Sequence, residues 1–322
     1  MARLYGGIDL GGTSMKVVVA TANGEVVGSA GGPTTPGASA AATIETIAQH
    51  LEEAASLASV HPGKLKGIGI GAPGAVDPKR GIVVTAPNLG WKNVRLGAAL
   101  GKRLGSPVVV GNDVQVAIVG EHAYGAAKGC SRVVGVWVGT GIGGGVIIDG
   151  RLERGARGAA GEIGHMLLKE DGPLCGCGRH GCAEALASRT AMERDVREAA
   201  RNVKTSVLKI MKEREKTRMT SSVMARALKA NDPVMKRVLA NAQHYLGLLV
   251  GNLVNVLDPE MVVIGGGVAQ RLGEPFVQPI REVARSRFLR PDPDGKVRIE
   301  PSILGDFSGA LGACALAKHE LR

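Results

Sequence analysis

Aromatic side chains are scarce in this 322-residue chain, which has two tryptophans, three tyrosines and three phenylalanines. Hydrophobic residues still make up 44% of the chain, so a full core must be built from valine, isoleucine, leucine and alanine. The sequence also lacks apolar runs of ~20 residues, the length of a membrane-spanning helix. We therefore predict a globular protein without a membrane partner, and the length favours two domains.

Cysteine is rare as well, with five residues in the chain. An odd and small number of cysteines excludes a secreted domain held together by disulfides. The opening residues Met1–Leu4 lead directly into an apolar strand pattern, without a signal peptide, so we expect a cytoplasmic protein. Cys130 and Cys314 stand among small and apolar residues and are predicted to be ordinary buried thiols.

The other three cysteines lie in one short segment with a histidine: the set is His165, Cys175, Cys177 and Cys182. One glycine separates the first two cysteines, so a disulfide between them would be strained. Three thiols and an imidazole form a tetrahedral ligand set typical of structural zinc sites. His180 is a second candidate for the fourth ligand. Glu162 and Glu184 flank the segment, and we interpret them as the groups that a zinc clamp positions.

The formal net charge is +11. Such a charge is compatible with nucleic acid, with an anionic substrate or with a solvated surface. Much of it lies in residues 194–229, where basic and apolar residues alternate as on an exposed helical face. A zinc-knuckle nucleic-acid binder would use Arg179 and His180, but the chain has few aromatic residues on which bases stack. We therefore predict no nucleic-acid partner.

Three glycine-rich turns follow strand-like runs: Gly11-Gly12-Thr13, Gly139-Thr140-Gly141 and Gly265-Gly266-Gly267. Glycine allows backbone N–H groups to approach a phosphate closely. The third turn precedes a helix, whose first N–H groups are free to bind an anion. We predict two phosphate contacts and one nucleoside contact, with Asp9 facing a hydrated metal ion. The pattern is neither a Walker A loop nor a Rossmann fingerprint.

The first two glycine turns stand in the same sequence context. In each case a strand leads into the turn, a second strand follows, and a hairpin dipeptide ends that strand. The dipeptides are Asn23-Gly24 and Asp149-Gly150, which favour type I′ turns. This repetition indicates a duplicated fold with a cleft between its halves.

Asn112 and Asp113 come at the carboxyl end of a strand, where α/β sheets bind ligands. Asp113 is therefore a candidate general base, although the N-cap of the following helix is an equally good interpretation. Asn88 follows Pro87 in a turn that either faces a ligand or is an Asx-turn. The apolar face of a helix over residues 233–257 indicates core or a subunit contact, and we expect a homodimer or homotetramer.

Together these motifs resemble the ROK sugar kinases (repressors, open reading frames and kinases) of the actin-like hexokinase superfamily, from Tyr5 to Ala317. The resemblance is strongest to the bacterial glucokinases of that family. It implies an α/β, two-domain actin-like (ribonuclease H-like) fold with an active-site cleft between the domains. The expected domains are residues 1–115 plus 306–322 and residues 116–305.

The resemblance also implies transfer of a phosphoryl group from ATP to the 6-hydroxyl of glucose, with Asp113 as the base. Asn112, Glu162, His165 and Glu184 would bind sugar hydroxyls, and His165 would also be the fourth zinc ligand. The expected phosphate contacts are Gly11, Gly12, Thr13, Lys16, Gly139, Thr140 and Gly141. Gly265, Gly266 and Gly267 would face adenosine, and Asp9 would contact Mg²⁺ through water.

The sequence departs from the family pattern beside the base. Gly111 and Val114 stand where the family often has glutamate and alanine, and this bears on sugar preference. Kinases for fructose, N-acetylglucosamine or N-acetylmannosamine, or with polyphosphate as donor, are the alternatives within the family. A ROK regulator would need a helix-turn-helix before Asp9, where we expect too few residues.

Overall fold

The computed structural model describes residues 3–35 and 37–321. The chain divides into two compact units. The first comprises Met1–Cys130, Leu152–Ala160 and Ile303–Arg322, and the second comprises Ser131–Arg151 and Gly161–Ser302. The domain boundaries given above from the sequence stay a prediction. Among the described residues, every helix is too short or too polar to cross a membrane.

The strands and helices follow one another along both units. The strands are β1 Leu4–Leu10, β2 Ser14–Thr21, β3 Val26–Pro33, β4 Ile68–Ala72, β5 Ala75–Asp77, β6 Ile82–Ala86, β7 Trp91–Val94, β8 Val108–Asn112, β9 Val133–Val138, β10 Ile142–Ile148, β11 Arg151–Glu153, β12 Met261–Gly265 and β13 Arg298–Pro301. The helices are α1 Ala40–Leu57, α2 Leu96–Leu104, α3 Asp113–Tyr124, α4 Ala183–Ala187, α5 Arg189–Ala199, α6 Ser206–Glu213, α7 Ser221–Lys229, α8 Pro233–Leu257, α9 Gly266–Leu272, α10 Glu274–Arg285 and α11 Ser308–Glu320.

The main sheet of the first unit has the strand order β3-β2-β1-β4-β8. Strand β1 is antiparallel to β2 and parallel to β4, which is parallel to β8. One face packs on a core that includes α1 and α2. Helix α11 lies against β1 and β4 at very short range, because a Cβ on Gly7 would stand 2.0 Å from Ala310 O and one on Gly69 1.9 Å from Ala313 O.

The main strands of the second unit, β9, β10, β12 and β13, belong to a sheet with the order β11-β10-β9-β12-β13, again with an antiparallel pair followed by parallel strands. Its core is built around α8, where Leu246, Leu249 and Val250 are at most 1% exposed. The apolar face of this helix is therefore core at these positions. The oligomeric state stays a prediction.

The two hairpin dipeptides adopt different conformations. Asp149 and Gly150 have φ values of 50° and 72°, as a two-residue type I′ turn requires. In the first unit Gly24 has φ 85°, but Asn23 is not among the residues with positive φ. The type I′ prediction is therefore wrong for Asn23-Gly24, where a longer connection separates β2 from β3.

The basic region before α8 forms several short helices. Ser188, Thr205 and Thr220 each accept a hydrogen bond from the first turn of the following helix, so they are the N-caps of α5, α6 and α7. The first of these caps sets the position of Arg189, which becomes important in the site below.

Candidate active site and metal site

The first glycine turn of the first unit is braced by a buried threonine. Gly11 N donates to Ser14 O at 2.9 Å, and a Cβ on Gly11 would lie only 2.7 Å from that oxygen. Thr34 Oγ1 donates to Gly11 O at 2.8 Å, and Thr34 N donates to Thr13 O at 3.0 Å. The tight turn therefore requires glycine at position 11. Thr34 lies far from this turn in the sequence, so the glycine motif did not indicate its contact with the turn.

The structure decides which residue caps α3. Asn112 Oδ1 accepts hydrogen bonds from Val114 N at 3.1 Å and from Gln115 N at 3.2 Å, while its Nδ2 donates to Gly74 O. Asn112 is therefore the N-cap, and the N-cap interpretation of Asp113 is wrong. Asp113 is the first helical residue, and its Oδ1 accepts from Val114 N at 2.9 Å.

Two aspartates in this unit have raised pKa values. The pKa of the Asp113 carboxyl is raised to about 7, chiefly by burial and also by the negative charge of Asp9. Burial also raises the pKa of Asp9 to about 6; the charge of Lys16 opposes this shift, and that of Asp306 adds to it. A carboxyl group with a pKa near 7 is suited to accept a proton at neutral pH.

Lys16 is held by residues just before α11. Its Nζ lies 2.5 Å from Asp306 Oδ2 and 5.8 Å from the centroid of the Phe307 ring. Gly309, the second residue of α11, has no room for a side chain, because a Cβ there would stand 2.4 Å from Asp9 Cγ. Residues near the end of the described chain thus contact Asp9 and Lys16, which flank the first glycine turn, and sequence motifs did not indicate these contacts.

Glu121 joins α3 to the same segment. Its side chain is completely buried, and its carboxylate accepts hydrogen bonds from Ala126 N, Leu304 N and Ser308 Oγ, each at 3.0 Å. A buried carboxylate with several donors fixes the groups around it, because each would otherwise be left unsatisfied. Helix α3, which begins at Asp113, is thereby tied to the start of α11.

Asn88 lies beside the first glycine turn. It belongs to the 3₁₀ turn Pro87–Leu89, is exposed, and its Cβ would be 3.4 Å from a Cβ built on Gly12. The structure thus brings together Asn88 and Gly12, which the sequence separates widely.

The ligand atoms of His165, Cys175, Cys177 and Cys182 in the second unit all lie within 4.8 Å of one another. Cys177 Sγ and Cys182 Sγ are 3.7 Å apart, and Cys175 Sγ is 3.6 Å from His165 Nδ1. Sulfur atoms around tetrahedral zinc lie about 3.8 Å apart, since each zinc–sulfur bond is about 2.3 Å. A disulfide would need sulfur atoms at about 2.05 Å. The spacing fits a metal ion rather than a bridge.

The surroundings of these thiols also fit a metal site. Burial raises the pKa of Cys175 to about 12, whereas a hydrogen bond with Arg179 lowers the pKa of Cys177 to about 6. Zinc binds thiolates, so binding would release the proton that burial keeps on Cys175. His180 lies outside the cluster, with its Nδ1 3.0 Å from Gly172 O.

Glu184 connects the cysteine cluster to the second glycine turn. Its Oε2 accepts from Ile142 N at 3.0 Å, and its Oε1 lies 3.7 Å from Cys175 Sγ. A Cβ on Gly141 would stand 2.2 Å from Glu184 Oε2, so this glycine is needed for the carboxylate to approach. Glu162 is exposed, and its backbone oxygen accepts from His165 N at 3.1 Å.

The same turn is held from its other end by Arg189. Arg189 N donates to Gly139 O at 2.9 Å, and its Nη2 donates to Thr140 Oγ1 at 2.7 Å. Gly139 faces open space, since nothing lies within 4 Å of a Cβ built there. Arg189 belongs to no recognisable motif, so the sequence did not indicate its contact with this turn.

The third glycine turn is explained largely by packing. A Cβ on Gly265 would meet the Trp137 ring at 2.5 Å, and Gly266 has φ 84° with Val138 backbone atoms 2.6 Å from its Cβ position. Gly267 has space around it. Two of the three glycines are therefore required by the contact of this turn with β9, whether or not adenosine binds there.

Comparison with known proteins gives consistent results. The family model described as "ROK family" matches residues 5–320. A glucokinase of Halalkalibacterium halodurans is 34% identical, over 99% of this chain and 96% of its own. A crystal structure of a ROK family glucokinase from Streptomyces griseus, in complex with glucose and AMPPNP, is 31% identical with a TM-score of 0.83, covering 98% of this chain and 99% of its own. A xylose repressor of Caldicellulosiruptor bescii is 31% identical, over 98% of this chain and 78% of its own.

Proposed function

Since the chain belongs to the ROK family and has its actin-like sugar kinase fold, we propose that it is an ATP-dependent glucokinase. It would transfer the γ-phosphoryl group of MgATP to the 6-hydroxyl of glucose. The observation that carries the proposal is the Asp113 carboxyl at the start of α3. Its pKa is raised to about 7, and it interacts electrostatically with Asp9, which adjoins the first glycine turn.

Asp113 acts as the general base in this proposal, accepting the proton of the attacking hydroxyl. Phosphoryl transfer depends mainly on positioning and on neutralising the charge of the donor. Lys16 and the amides of Gly11–Thr13 and Gly139–Gly141 bind the donor phosphates, and Gly265–Gly267 face its nucleoside. Asp9 would hold Mg²⁺ through water, and the bound ion would supply further neutralisation of charge.

The remaining site residues orient the sugar. Asn88, Asn112, Glu162, His165 and Glu184 bind its hydroxyls in our proposal. Zinc, when bound to His165 and the three cysteines, holds the loop that carries these carboxylates. The hydrogen bond from Ile142 N and the contact with Cys175 support this role for Glu184, because they fix its carboxylate.

The decisive experiment is a panel of sugars assayed with MgATP, with release of ADP as the readout. We expect the highest kcat/KM with glucose. A preference for fructose, N-acetylglucosamine or N-acetylmannosamine would keep the kinase but replace its substrate, and turnover with polyphosphate in place of ATP would replace its donor. The absence of turnover with every sugar and donor would refute the proposal.

A sugar-responsive regulator is the second candidate, because a xylose repressor is 31% identical over nearly the whole chain. Retention of DNA at moderate salt, changed by xylose and without sugar phosphorylation, would favour the regulator.

A further inference from the structure

We propose that Arg189 and Thr140 form a binding subsite for condensed phosphate, the chain of linked phosphates that a nucleoside triphosphate or inorganic polyphosphate carries. The proposal rests on the function proposed above, which places donor phosphates at the Gly139–Gly141 turn. It adds Arg189, a cationic residue that the glycine motif does not contain.

The position of the guanidinium group is the first support. Arg189 Nη2 donates to Thr140 Oγ1 at 2.7 Å, and the backbone N of Arg189 donates to Gly139 O at 2.9 Å. The side chain and the main chain of one residue therefore hold two successive residues of the turn. A guanidinium has five N–H groups, so donors remain for an anion after the bond to Thr140.

The charges around Arg189 are the second support. Within the described residues, no carboxylate oxygen lies within 4.0 Å of its guanidinium. The nearby acidic residue Glu193 already accepts two hydrogen bonds from Arg197 and one from Met219 N. Arg189 thus stands as a half-buried cation without an ion pair.

A second arginine, Arg218, lies near Arg189. Burial lowers the pKa of Arg189, and the positive charge of Arg218 lowers it further, whereas the negative charge of Glu193 opposes this shift. Arg218 Nη2 donates to Thr190 Oγ1 at 3.3 Å, next to Arg189 in sequence. Glu193 lies 3.9 Å from Arg218 Nε but also pairs with Arg197, so the arginines together carry a surplus of positive charge. A phosphate would neutralise this charge, and arginine binds phosphate in a bidentate manner.

The glycine turn leaves room for such an anion. Nothing lies within 4 Å of a Cβ built on Gly139, and Thr140 is exposed. The hydroxyl of Thr140, which accepts from Arg189, can donate its own proton to a phosphate oxygen. The subsite thus combines an arginine, a hydroxyl and free space beside Gly139.

The test measures binding and does not depend on turnover. Inorganic tripolyphosphate, ADP and adenosine are titrated into the wild-type protein and into Arg189→Gln by calorimetry. We expect Arg189→Gln to weaken tripolyphosphate and ADP by about tenfold to a hundredfold, the range of a charge-assisted hydrogen bond. Adenosine affinity should stay unchanged, and Arg189→Lys should recover part of the loss because it restores the charge.

Arg201→Gln is the matched control, because it removes the same charge from an exposed position just beyond the end of α5. It should bind all three ligands as the wild type does. Tripolyphosphate binding without ADP binding would identify an inorganic donor, and comparable effects on both would identify the phosphates of the nucleotide as the ligand.

Three outcomes would overturn the subsite: wild-type protein that binds neither phosphate ligand, an Arg189→Gln variant with unchanged phosphate affinity, or an equal loss for adenosine. The last outcome would mean that Arg189 only braces the turn. These results are distinct from failure of the proposed function, in which sugar-dependent turnover is absent while Arg189-dependent phosphate binding persists.

Discussion

The two main sheets have the same strand order but carry different chemistry. In each, an antiparallel three-strand meander is followed by two parallel strands, and a glycine turn joins the first two strands of the meander. Asp9 and Lys16 flank the first turn on β1 and β2, and Asp306 forms an ion pair with Lys16. The second turn contacts Glu184 and Arg189, and Glu184 also touches the cysteine cluster.

The two sheets therefore share a strand order but differ in the side chains near their glycine turns. The shared strands supply two glycine turns, in which Gly11 N donates to Ser14 O and Gly139 N donates to Gly141 O. The residues between and after the strands supply the charged and thiol groups around these turns. In the first unit these are the start of α3 and the segment before α11. In the second unit they are the segment from Glu162 to Glu184 and the N-terminus of α5. The predictions below test this division.

The largest effect is expected in the first unit, at Asp113. Asp113→Asn removes the group that accepts the proton while preserving its shape, so we expect kcat to fall ~10²–10⁴-fold. Glucose binding, measured by calorimetry, should remain. Nearly wild-type turnover of this variant would show that Asp113 is not the general base.

The pH dependence provides an independent check of Asp113. A base with a pKa of about 7 is protonated at lower pH, so kcat/KM should rise as the pH passes through about 7. The folded-state pKa lies above the unfolded value, so the folded protein holds more protons between these values and loses stability as the pH rises between them. Asp113→Asn should therefore raise the Tm more at pH 8 than at pH 5. A lower Tm at both pH values would indicate a structural role instead.

The next largest effect belongs to the second unit alone. Cys177→Ser removes one of four ligands, so we expect loss of bound zinc and a Tm lower by on the order of 10 °C, because structural zinc contributes directly to folding. Elemental analysis and thermal unfolding measure the two effects. Cys130→Ser is the control, since this thiol lies outside the cluster and should leave the zinc content unchanged. Equal metal content in both variants would contradict the site.

The smallest effect compares two glycines of one turn. A methyl group at Gly141 would collide with Glu184 Oε2, whereas one at Gly139 would meet open space. Gly141→Ala should weaken glucose binding about tenfold, by displacing a carboxylate that we expect to bind the sugar. Gly139→Ala should retain glucose affinity in the absence of nucleotide. Equal glucose affinities in the two variants would show that Glu184 does not bind the sugar.

The sequence predicted best what is local in the chain. The four candidate zinc ligands lie close together, because they fall within one short segment, and zinc binding by them stays a prediction. The relation between Asn112 and Asp113 needed only the helix boundary to be resolved. Residue types alone could not decide which of the two would cap α3, since both asparagine and aspartate are good N-caps.

The sequence predicted least what depends on distant contacts. Thr34, Glu121, Arg189 and Asp306 act through partners elsewhere in the fold, and none belongs to a motif. The glycines of the third turn also have a packing role that their motif did not indicate. Their motif suggested a ligand, yet contact with Trp137 and a positive φ already account for Gly265 and Gly266.

Helix α11 has a consequence for the order of folding during synthesis. It packs directly on β1 and β4, and the Glu121 carboxylate closes the buried connection to it. The ribosome makes these residues only after all of the second unit, since residues 303–321 follow Ser302. Because domains generally fold as units as they emerge, the second unit can complete its core first. We expect the face of the first unit's sheet that receives α11 to stay uncovered until the residues of α11 have been synthesised.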